Sequence, residues 1–132
     1  MLMRRGPDAG SKILVTFLIL IGFSMCGYWA IQLSSGFLFL GLSSIRNDSY
    51  IIWHVVAEVL TGILALFSAY LVLIRHPIGW RLAMFACGML LYTGINSIGW
   101  GILHDTGLLV LFIFCSIGAL FGLIYLIGRY EL

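Results

Sequence analysis

The chain has 132 residues, of which 62% are hydrophobic and only 9% charged, whereas an ordinary soluble domain carries about 25% charged residues. A soluble domain of this length leaves too much of its surface exposed to hide so much apolar material, and a formal net charge of +2 is too small to mark a nucleic-acid partner. The composition predicts an all-α integral membrane protein, one membrane domain over residues 1–132 with the lipid bilayer as its solvent.

Arg4, Arg5 and Lys12 make a basic start, and from Ile13 no charge follows until Arg46. That apolar stretch is too long for a leader's h-region and lacks a clear small-residue cleavage site, so it is expected to be a retained first span. No lipidation motif is visible. A helix needs about 20 apolar residues to cross a bilayer core of about 30 Å, and four segments qualify, at about residues 13–34, 51–74, 82–103 and 107–127. The first is expected to break near Ser34-Ser35-Gly36 or to tilt. Arg46-Asn47-Asp48-Ser49 reads as a polar turn. Arg75-His76-Pro77 ends the second span, because proline lacks an N–H and restricts its predecessor. His104-Asp105-Thr106-Gly107 reads as a tight polar connection. The expected architecture is a four-transmembrane-helix bundle with short loops.

Lys and Arg near span ends set orientation. An inside amino terminus places Arg4, Arg5, Lys12, Arg75, Arg81 and Arg129 inside and only Arg46 outside. The expectation is therefore a multi-pass protein of the plasma (inner) membrane with both termini cytoplasmic. Tyr28, Trp29, Tyr50, Trp53 and Trp100 then form one aromatic belt, and Trp80, Tyr125 and Tyr130 the other. Small residues allow helices to approach closely in lipid. Ala65 with Ala69 and Gly118 with Gly122 are read as packing positions within the bundle, with a homodimer face or a membrane-complex partner at Gly118/Gly122 as the alternative. Cys26, Cys87 and Cys115 sit in apolar runs without a C-x-x-C pair, which argues against a disulfide framework or zinc knuckle and for small packing side chains.

Glu58 is the charged residue placed well inside a span, where an ionisable group costs about 2.5–3.5 kcal/mol on insertion scales. His54 lies four residues earlier, on the same helix face. On the antiparallel third span Tyr92, Asn96, Trp100 and His104 recur every four residues. Counted from the outer ends, Glu58 and Asn96 come out at the same depth, about 10 Å at 1.5 Å per residue. Thr61 falls near Thr93 and Tyr92, Tyr28 and Gln32 of the first span are candidates to join, Cys115 and Ser116 lie at a comparable depth on the fourth, and His104 with Asp105 stands at the mouth. The expected binding site is thus Glu58, His54, Asn96, Tyr92, His104 and Asp105, in the outer half between the second and third spans.

Four readings fit this set. The first is packing glue, although cheaper Ser, Thr or Asn would serve that purpose. The second is a protonatable site for a small binding or transport protein, with Glu58 taking a proton and His54 relaying it. The third is a transition-metal site of His54, Glu58 and His104. Haem suits the sequence less, since His54 and His104 differ in depth by a turn and a half or more. The fourth is an accessory subunit of a larger membrane complex, with Glu58 facing a partner. No G-x-S-x-G, carboxylate pair or phosphate loop points to an enzyme.

Overall fold

The computed structural model describes residues 8–34, 49–104 and 106–131. They form four helices and no strand: α1 (Ala9–Ser34), α2 (Ser49–Leu73), α3 (Pro77–His104) and α4 (Thr106–Glu131). Each has at least 25 residues and so extends more than about 37 Å at 1.5 Å per residue. All four are long and apolar enough to cross a membrane. Large apolar side chains cover the outside, among them Leu60 (58% exposed) and Phe121 (67%). That surface is suited to acyl chains and not to water. The protein is a four-helix, multi-pass membrane bundle.

The helices run alternately up and down. α1 packs on α2, α2 on α3 and α3 on α4, while α1 and α4 close the ring over a shorter stretch. The end where α1 begins and α4 finishes is called the terminal end below, and the opposite end the far end. α3 starts at Pro77, five residues before the expected span, because Trp80 and Arg81 do not interrupt helical geometry. Proline suits such a first helical position, where no N–H is needed. The α2–α3 turn is a hydrogen-bonded helix stop: His76 N–H bonds Leu71 O at 2.8 Å and Arg75 N–H bonds Val72 O at 3.1 Å, the Schellman pairing. The Ile78 N–H is capped by His76 Nδ1 at 3.3 Å. Gly79 permits the tight return, since a Cβ there would lie 2.7 Å from the Leu71 carbonyl carbon. Residues 35–48, which contain the expected break after Ser34 and the Arg46 turn, lie outside the described residues, as does Asp105 in the α3–α4 connection.

The core is a seam of small and aliphatic side chains. On α2 the buried positions Val55, Glu58, Gly62, Ala65, Ala69 and Val72 recur at alternating steps of three and four, the period of left-handed helix packing. On α3 the matching line is Ala83, Ala86, Leu90, Thr93 and Ser97. Gly118 and Gly122 are occupied from within the chain. A Cβ on Gly118 would strike the Phe17 ring, and one on Gly122 would come within 2.9 Å of Cys87 Sγ and 3.0 Å of Leu14. The pair thus seats α4 against α1 and α3, the packing use expected of small residues in lipid.

Candidate functional site

Glu58 sits in the far half of α2, and its residue is 6% exposed. The three-four spacing of α2 turns it inward, so its carboxylate must find protein partners or remain an unpaired buried charge. It finds them on three sides. Trp29 of α1 donates its indole N–H to Oε2 at 2.6 Å. Ser97 of α3 donates its hydroxyl to Oε1 at 2.9 Å. His54, one turn back on α2, brings Nε2 to 3.1 Å from the same Oε1. One carboxylate thereby ties α1, α2 and α3 together. Every buried side-chain nitrogen and oxygen among the described residues has a hydrogen-bond partner.

His54 is the link from this buried group to the surface. Its side chain is 22% exposed; Ser97 Oγ lies 3.3 Å from Nε2 and the exposed Asn96 places Nδ2 3.3 Å from Nδ1. An amide NH2 only donates, so with Asn96 in this orientation Nδ1 is the accepting nitrogen and Nε2–H points at the carboxylate. The order from inside to outside is Glu58, His54, Asn96. Thr61 and Thr93, also buried, turn their hydroxyls back on their own helices, to Ala57 O at 2.7 Å and Met89 O at 3.0 Å. Ser116 does the same toward Phe112 O at 2.8 Å. Its hydroxyl fills the space that a side chain on Gly94 would need.

Of the residues expected from the sequence, Glu58, His54 and Asn96 come together. Tyr92 does not join them: it is 67% exposed, on the outer side of α3. The reason is one of register. The line Tyr92–Asn96 runs along the rim of the α2–α3 contact, and Thr93–Ser97, one residue further round, faces in. The carboxylate accordingly meets Ser97 and not Asn96. The side chain of His104 and all of Asp105 lie outside the described residues. On α1 Trp29 makes the contact for which Tyr28 and Gln32 were candidates, and Tyr28 stands edge-on to its ring at 5.2 Å between centroids. Ser97 was detectable as the continuation of the small-residue line from Ala83, and Trp29 as a donor-only ring at the depth of a carboxylate acceptor.

For the expected metal site, two of its three residues, His54 and Glu58, are adjacent. No three His, Cys, Asp or Glu side chains come together among the described residues. Both carboxylate oxygens already accept from Trp29, Ser97 and His54, so their lone pairs are aimed at protein hydrogens.

A second polar group closes the terminal end. Asp8 caps α1, its Oδ1 accepting the Ser11 N–H at 2.8 Å, which satisfies a free donor of the first turn. The same oxygen accepts from the Tyr125 hydroxyl at 2.6 Å, and Oδ2 accepts from Arg129 at 2.8 Å. The guanidinium of Arg129 also lies 4.5 Å over the Trp80 ring. The Tyr125 hydroxyl, the Ser11 N–H and the nearby Arg129 charge together hold the Asp8 carboxyl down at about 2.

Residues 9–131 match the model of DUF8058, a domain of unknown function, and the chain belongs to that family. No curated protein and no solved structure matches it.

Proposed function

We propose that this DUF8058 member is a small proton-linked binding or transport protein, in which Glu58 and His54 hold and pass a single proton. The observation that supports this reading is the graded chain from a buried carboxylate through a partly buried imidazole to an exposed amide. At 3.1 Å between Nε2 and Oε1 one proton is shared over a short path. His54 carries an imidazole, whose two ring nitrogens let it take a proton on one side and release one on the other. Adding a proton to it turns Nδ1 from acceptor into donor, and Asn96 must then rotate its amide to present the carbonyl oxygen. The site thus couples a protonation event to a movement at the bundle surface. Simple packing glue would need neither an ionisable group nor an outlet.

The terminal end faces the cytoplasm in this proposal and the Glu58 cluster lies in the extracytoplasmic half of the plasma membrane. The four described Lys and Arg residues, Lys12, Arg75, Arg81 and Arg129, all lie toward the terminal end, in keeping with the positive-inside rule.

The test is proton flux into liposomes carrying purified protein, with wild type, Glu58→Gln and His54→Phe compared. Flux above that of empty liposomes in wild type, lost in both variants, is the expected result. Wild-type flux in Glu58→Gln ends the proposal, and a partner chain that co-purifies stoichiometrically in mild detergent moves the reading to the subunit alternative.

A further inference from the structure

At the terminal end, a cavity of about 520 Å³ opens between α1, the end of α2 and the start of α3. Two of its lining residues are basic, Lys12 and Arg75, and none is acidic. Both are exposed, and neither has a carboxylate partner among the described residues. Below them the wall turns apolar through Val15, Ile19, Val72 and Trp80. Ile19 follows Lys12 by seven residues and is therefore about 10 Å deeper in the membrane. The cavity has a cationic rim at a helix end and a greasy floor running toward the bilayer centre.

The backbone places one of these cations against its own preference. Arg75 has φ of 59°, the left-handed conformation of a Schellman stop, which glycine adopts without penalty and an arginine does not. An arginine stands where the turn itself favours glycine, and its side chain is at the cavity rim.

We infer that this cavity holds an anionic phospholipid, its phosphate between Lys12 and Arg75 and an acyl chain along Val15, Ile19 and Val72. A phosphate diester supplies the negative charge that the rim lacks, and basic pockets between helices at a membrane surface recognise such headgroups. The lipid would hold the α2–α3 turn against α1, at the end opposite the Glu58 cluster.

The experiment measures lipid retained by the purified full-length chain in neutral detergent, by native mass spectrometry, with thermal stability followed in parallel. Phosphatidylglycerol should stay bound at one copy per chain and raise the melting temperature. Phosphatidylcholine of the same acyl chains, and inorganic phosphate, should do neither. Lys12→Gln and Arg75→Gly should each weaken phosphatidylglycerol retention about fivefold, the weight of one basic residue at an anionic surface. Arg75→Gly is the decisive variant, because glycine fits the turn and its lipid-free melting temperature should not fall. Arg81→Gln, which removes an exposed charge from α3 outside the cavity, should retain lipid as wild type does. Equal retention of both lipids, stabilisation by inorganic phosphate alone, or a loss in Arg81→Gln equal to that in Arg75→Gly would each overturn the assignment.

Discussion

The two polar groups of the bundle solve opposite problems. At the far end Glu58 is buried, so its partners are protein groups, and it binds α1, α2 and α3 at one point. At the terminal end Asp8 is half exposed, with a side chain 53% accessible, and it joins α1 to α4 through Tyr125 and Arg129. The first group is expensive to disturb because a broken contact leaves a buried donor or charge. The second is cheap, since water replaces whatever is lost. Between them the two carboxylates reach all four helices, so the ring is fastened at both ends by groups of very different consequence.

Removing the carboxylate from the buried group should have the largest effect. Glu58→Leu removes the acceptor of the Trp29 indole and leaves the Ser97 hydroxyl with His54 alone, and an unsatisfied buried group costs about 1–3 kcal/mol. Unfolding in mixed micelles should show a loss toward the upper part of that range, whereas Glu58→Gln, which still offers one accepting oxygen, should lose less than half as much. Equal losses for Leu and Gln would mean that the charge itself, and not the acceptors, holds the three helices.

The single bond to α1 comes next. Trp29→Phe keeps an aromatic side chain and removes the donor at 2.6 Å. Intramembrane hydrogen bonds average about 0.6 kcal/mol with a maximum near 1.7, and this one, to a carboxylate, belongs at the upper limit. A loss that disappears when Glu58 is already Leu would confirm by double-mutant cycle that the two side chains act through each other. Independent losses would place the contribution of Trp29 in its packing beside Tyr28.

These two groups also differ in how far the sequence disclosed them. The four spans were legible because lipid demands long apolar helices, and Glu58 with His54 was legible because a charge in such a helix is rare and a partner one turn away shares its face. The rotation of α3 was not legible from polarity. In a soluble helix the apolar face marks the inside, but here lipid and core are both apolar, so the exposed Tyr92 and the buried Leu90 look alike. The line of Tyr92 and Asn96 follows the rim of the α2–α3 contact, where Asn96 meets His54, and the inward line lies one residue further round. The real marker is size, since Ala83, Ala86, Thr93 and Ser97 are small where α3 meets its neighbours. The Asp8 group was hidden for a different reason: its members are 117 and 121 residues apart in sequence, and only ring closure by α1 and α4 brings them together.

The smallest effect belongs to that terminal clasp, and pH is the way to read it. The Asp8 carboxyl lies at about 2 in the folded protein against an unperturbed 3.8. A depressed carboxyl contributes stability that is complete above the unperturbed value and fades as pH falls through the folded one. Melting temperature should therefore drop between pH 4 and pH 2 in wild type, and Asp8→Asn should be less stable at neutral pH and flat across that acid window. An exposed ion pair contributes at most about 1 kcal/mol, so the shift should be a few degrees or less, and high salt should shrink it further. An acid-window drop that persists undiminished in Asp8→Asn would transfer the effect to another carboxyl, and Glu58→Gln in the same background would show whether the far end has taken over.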